Sequence, residues 1–132
     1  MKKLIYIIIF LFSLTGISNS QNLTDSDGGR LREKMMEYIQ GKLGLNKDEA
    51  SKFESVFTNY LRDLRSTNQQ YKGDRLVLQD KVVELRLRYR DQFKPIIGEK
   101  RSNDVFNYER DFVKQAREEL QNRNDGRANK RF

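Results

Sequence analysis

Neither histidine nor cysteine occurs among the 132 residues, tryptophan is absent too, and proline occurs once. Each absence closes off chemistry. Without an imidazole or a thiolate there is no His general base, no Cys nucleophile, no Cys/His zinc site, no CxxC redox pair and no disulfide. A Ser-His-Asp hydrolase is excluded for the same reason. A chain with one proline and 34% charged residues reads as helical, not as collagenous or low-complexity, and its length allows one small domain. Its function is therefore expected to reside in surfaces, with no catalytic residues, no metal site and no cofactor.

Long apolar runs are also scarce, and the one that exists stands at the N-terminus. Lys2 and Lys3 precede an apolar stretch from Leu4 to Phe12, which Leu14 extends and the small, polar segment Thr15 to Ser20 follows. Residues 1–20 have the order of a secretory signal peptide. The run is too short for roughly 30 Å of hydrocarbon, and Ser18 and Ser20 occupy the small-residue positions before a cleavage expected near Ser20/Gln21. An uncleaved anchor is the alternative. The expected mature chain is exported and periplasmic, with no stable membrane insertion after cleavage. It carries a net charge of +5 on 112 residues, of which 36 are hydrophobic. That is a lean supply for one core, so pairing of two copies is expected.

Residues 21–29, QNLTDSDGG, read as a flexible lead-in. Asp25 and Asp27 raise the question of calcium. An EF-hand loop counted from Asp25 would need a ligand at Gly29, glycine at Arg30 and glutamate at Met36, and all three positions fail. From Arg30 to Leu43, Leu31, Met35, Tyr38 and Ile39 recur at helical spacing. Met35 beside Met36 could be thioether ligands, but adjacent helical residues point about 100° apart, and core packing is the expected role.

Asn46 and Glu49 form N-x-x-E, a relative of the capping box, ahead of a stripe at Phe53, Phe57, Tyr60, Leu64 and Tyr71. The pattern predicts a helix from about Lys47 to about Lys72, with a break at Gly73. A third helix, Asp74 to Lys94, carries Leu78, Val82, Leu85, Tyr89, Phe93 and Ile96 on its core face, and Pro95 is expected to end it. Leu76, Val83 and Leu87 form a second apolar line on the same helix. The last helix runs from about Glu99 to about Asn122 with Val105, Tyr108, Phe112 and Ala116 on one stripe, and residues 123–132 read as a disordered basic tail. No segment alternates as a strand, so the fold class is all-α, an elongated four-helix hairpin arrangement over residues 30–122.

The chain repeats internally. A shift of 52 positions places Phe53 on Val105, Tyr60 on Phe112, Leu61 on Val113 and Arg65 on Arg117, and it superposes Leu45-Asn46-Lys47-Asp48-Glu49 on Ile97-Gly98-Glu99-Lys100-Arg101. Each copy is an aliphatic residue, a helix cap and an amphipathic helix. In this respect the chain resembles the exported CpxP/Spy family, whose members carry two LTxxQ motifs at helix starts in an all-helical, cradle-shaped dimer. Leu45, Asn46 and Glu49 stand for the first motif, with Asn for Thr and Glu for Gln. Ile97, Gly98 and Arg101 stand for the second, where only the aliphatic-cap pattern is kept.

The resemblance implies an ATP-independent chaperone for unfolded or misfolded envelope proteins, or an adaptor that regulates an envelope-stress signalling system such as a sensor kinase or a sigma/anti-sigma pair. Metal-sensing relatives rely on histidine ligands that this chain lacks. The expected client surface is Leu76, Val83 and Leu87 with Arg86, Arg88 and Arg90. The same line can instead be a packing seam against another helix or a second subunit. Nucleic-acid binding is disfavoured by export and by the interleaving of acids with bases. A Skp-like holdase would need a β-rich body, and an enzyme built on Glu84 or Glu109 would need helix-surface acids free of basic partners.

Overall fold

The computed structural model describes residues 21–131; the expected signal peptide, residues 1–20, lies outside the described residues. Four helices follow one another: α1 Gln21–Leu43, α2 Lys47–Tyr71, α3 Arg75–Ile97 and α4 Glu99–Ala128, ending in a 3₁₀ turn, Asn129–Arg131. No strand occurs among the described residues, and no helix there is long and apolar enough to cross a membrane. The fold is all-α.

The connections are short because each is built from caps. Gly44, at φ 64°, ends α1: its N–H donates to the Gly41 carbonyl and the Leu45 N–H to the Gln40 carbonyl, the Schellman pattern that needs a left-handed residue after the last helical one. Asn46 then opens α2 with a complete capping box. Its Oδ1 accepts from the Glu49 N–H at 2.8 Å while its own N–H donates to Glu49 Oε1 at 3.2 Å. Asp74 opens α3 by accepting from the Leu76 and Val77 N–H groups, both at 3.1 Å.

α2 and α3 form an antiparallel hairpin, α4 returns antiparallel to α3, and α1 packs against α4 and, less closely, α2. The core is aromatic. Phe53, Phe57, Tyr60, Tyr89, Phe93 and Phe106 contact one another with ring centroids 5.0–6.5 Å apart, and Met35, Met36, Ile39 and Leu43 of α1, with Leu85, Ile97 and Val105, close around them. Met35 and Met36 are both buried core residues.

Three boundaries differ from expectation. Residues 21–29 are helical backbone rather than a flexible lead-in: no proline interrupts them, and extending a helix that α1 has nucleated costs little. Pro95 does not end α3, which continues to Ile97. The ring forfeits one hydrogen bond in the last turn, but the next residues carry Ile97 into the core, where it is 2% exposed, and that burial offsets the loss. The basic tail is helical through Ala128. The Glu119–Arg123 ion pair and Arg127 in the last turn favour continuation, although none of its described side chains is buried.

Among the described residues every buried side chain lies in 31–61 or 85–109, so residues 62–84, the distal part of the α2–α3 hairpin, form an arm without a buried side chain. α3 belongs to both regions.

Candidate functional site

The two repeated motifs meet. Glu49 sits on the first turn of α2 and Arg101 on the first turn of α4, 52 positions later, and the structure joins them: Arg101 Nη1 donates to Glu49 Oε1 at 3.2 Å and Nη2 donates to Oε2. Arg101 Nε donates to the Ile97 carbonyl at 2.8 Å, which holds the guanidinium in place. The Arg101 hydrogen bonds, then the Asn46 backbone N–H, draw the Glu49 carboxyl below its ordinary pKa. Leu45 is half-buried and Ile97 buried, both against the core, whereas Gly98, at φ 84°, turns the chain between α3 and α4 without a side-chain cap. Thus the motif residues Leu45, Asn46, Glu49, Ile97, Gly98 and Arg101 come together as a lock between helix starts. Their work is structural.

The second group lies on α3. Leu76, Val83 and Leu87 are 78, 53 and 45% exposed, so no described helix buries them. Spacings of seven and four residues keep the three on one face at about 100° per residue, over about 16 Å of helix. Val77 is also exposed, a position that the stripe pattern passes over because it lies off the line.

The arginines divide. Arg86 was expected beside the line but turns inward, donating from Nη2 to Glu109 Oε1 at 2.8 Å and from Nε to the Tyr60 hydroxyl at 3.3 Å, with its guanidinium 5.9 Å from the Phe106 ring. Glu109 is only 5% exposed, and a buried carboxylate needs a nearby cation, which decides where Arg86 goes. Arg88 stays largely exposed, 3.8 Å from Asp63 and 5.7 Å from the Tyr89 ring. Arg90 leans towards α4, with Nη1 3.4 Å from Asn103 Oδ1. The apolar line is therefore flanked by both signs of charge: Asp80, Glu84 and Asp91 lie to one side of it and Arg90 to the other, and Lys94 continues the line.

The Tyr60–Arg86–Glu109 cluster was not legible beforehand, since Glu109 is an acid among the stripe residues of α4. Burial, then the neighbouring carboxylate, holds the Tyr60 phenol above its ordinary range, although Arg86 pulls the other way. Burial opposes the charge on Arg86, but Tyr60 and Glu109 outweigh it and raise its pKa. Tyr89 donates to Asp63 Oδ2 at 2.5 Å, and burial together with that acceptor pushes its pKa up to about 12. Glu84 pairs with Lys81 at 3.1 Å on the surface. Among the described residues no three acidic side chains gather as a cation site.

Comparison with known proteins adds no relative: no family model matches the chain, and no curated protein and no solved structure is detectably similar to it.

Proposed function

We propose that this chain is an exported, periplasmic, ATP-independent chaperone-like protein that binds unfolded or misfolded envelope proteins. The observation that carries this reading is the exposed apolar line Leu76–Val83–Leu87, with Arg88 and Arg90 on the same helix, on a chain with a net positive charge. Such a surface attracts clients from a distance through charge and holds them through apolar contact without reading one sequence. The paired helix-start motifs, and their resemblance to the CpxP/Spy pattern, support the same reading. So does the N-terminal sequence, whose order is that of a secretory leader.

Pairing of two copies belongs to the proposal, because 36 hydrophobic residues form a lean core for the mature chain. Sedimentation equilibrium tests it, and a monomer at every concentration would refute it.

The functional test is suppression of aggregation. At a few-fold molar excess and without ATP, residues 21–132 are expected to keep an unrelated, chemically denatured protein from scattering light. Capture should slow in high salt without vanishing, because salt screens charge beyond about 8 Å at physiological strength while apolar contact persists. If several clients aggregate unhindered in the presence of the folded protein, the chaperone reading falls, and regulation of an envelope-stress signalling partner takes its place.

A further inference from the structure

We infer that the exposed face of α3 holds its clients as amphipathic helices of mixed charge, not as extended chain. The inference rests on the chaperone reading of this face and names the class of segment it takes. Three observations support it.

The first is backbone chemistry. Every described element is helical, and no sheet edge is offered to a client. α3 satisfies its own N–H and C=O groups internally, so an extended segment pressed against it would lose water from its peptide groups without gaining partners. A helical segment brings its backbone hydrogen bonds already made and can be dried against α3 without that cost.

The second is spacing. Leu76, Val83 and Leu87 are separated by seven and four residues, the intervals at which side chains of one helix interdigitate with those of another. An incoming helix with apolar residues at the same intervals fills the gaps between them. A strand repeats its same-face side chains at one even interval of about 6.7 Å, which does not match the unequal gaps of roughly 10 and 6 Å along this line.

The third is charge. Asp80 lies between Leu76 and Val83, and Arg90, Asp91 and Lys94 continue the same face beyond Leu87, with Lys94 3.2 Å from Asp91. The face thus carries both signs of charge along its length. A helix that also carries both signs complements it, and a uniformly basic or acidic helix meets repulsion.

The test uses two labelled peptides of the same composition and about three heptads long. One carries its leucines at intervals of three and four, the other at every second position. Fluorescence anisotropy with the full mature chain should show the helical pattern binding roughly tenfold more tightly or better. Circular dichroism should show that peptide gaining helicity on binding, and a proline at its centre should abolish both effects. Val83→Ser with Leu87→Ser should remove binding while the protein's own helical signal stays. Leu76→Ser, at the most exposed position, is the second variant should that pair disturb the fold, and it should weaken binding several-fold.

Equal binding of the two peptides overturns the helix inference and leaves the chaperone reading standing. So does suppression of aggregation by a protein that binds neither peptide. If the serine pair converts a wild-type dimer to monomers, a second copy occupies the face and the inference is overturned. Failure of peptide binding together with failure to suppress aggregation removes both.

Discussion

The helix starts and the hairpin arm are built from the same kinds of residue yet hold together in different ways. Around the starts of α2 and α4, aromatic rings, the Asn46 cap and the Glu49–Arg101 pair tie three helices to one another. In the arm, residues 62–84, no side chain is buried, and Leu64, Leu78 and Val82 are half-buried at best. The contrast shows where folding energy resides and which part is left for a partner. A helix surface that gains nothing from the chain's own core can be spent on binding.

The largest expected effect breaks that contrast at its centre. Phe93→Asp puts a charge at a position that is 0% exposed, among Phe53, Phe57 and Phe106, and should unfold the protein. Leu76→Asp in the arm should shift stability by no more than about 0.5 kcal/mol. Urea titration of the two variants checks the pair.

A smaller effect is expected from Glu109→Ala. It leaves Arg86 without its carboxylate in a partly buried site and should cost about 2 to 3 kcal/mol, less than a fully buried pair would, because Arg86 keeps some contact with water. Arg86→Met together with Glu109→Leu should recover most of that loss in the same titration.

The caps sharpen the comparison. Asn46→Ala should lower global stability by about 1 kcal/mol, because α2 cannot fray at that end without loosening the core. Asp74→Ala removes a cap of similar strength from the arm. It should leave the urea midpoint nearly unchanged and speed amide hydrogen exchange in the first turn of α3.

The smallest effects come from pH. Tyr89 is held as a neutral donor, with a pKa raised to about 12 against about 10 in an unfolded chain, so its contribution is present below pH 10 and is lost as pH rises towards 12. Tyr60 shifts in the same direction. Glu49 shifts the opposite way: its lowered pKa stabilises the fold above the ordinary carboxylate range and is lost as pH falls through it. Phenolate absorbance followed beside the helical signal should show Tyr60 and Tyr89 ionising only as the helices melt. Glu49→Gln should flatten the acid limb.

Much of this was legible in the chain itself. Periodicity at Phe53, Phe57 and Tyr60, and at Leu85, Tyr89 and Phe93, marked the buried faces, since a residue's place on a helix is fixed by counting. Asn46 with Glu49 announced the start of α2, because a capping box is a local device with local partners. The extent of α1, α3 and α4 was less legible. Each runs past a glycine pair, a proline or a polar stretch that local preference reads as an end, and such preferences amount to about 1 kcal/mol for glycine and about 3 for proline, sums that burial or continuation can outweigh.

The sequence by itself determined the helical class, the interior-facing stripes, the caps and the absence of imidazole and thiolate chemistry, all of which depend on neighbours a few residues away. Only the tertiary structure decided which charges meet. It brought Arg101 to Glu49 across 52 positions, turned Arg86 from the apolar line to the buried Glu109, and left Leu76, Val83 and Leu87 uncovered. Those outcomes depend on how four helices cross. A residue's face on its own helix follows from its number, but what stands opposite that face follows from packing.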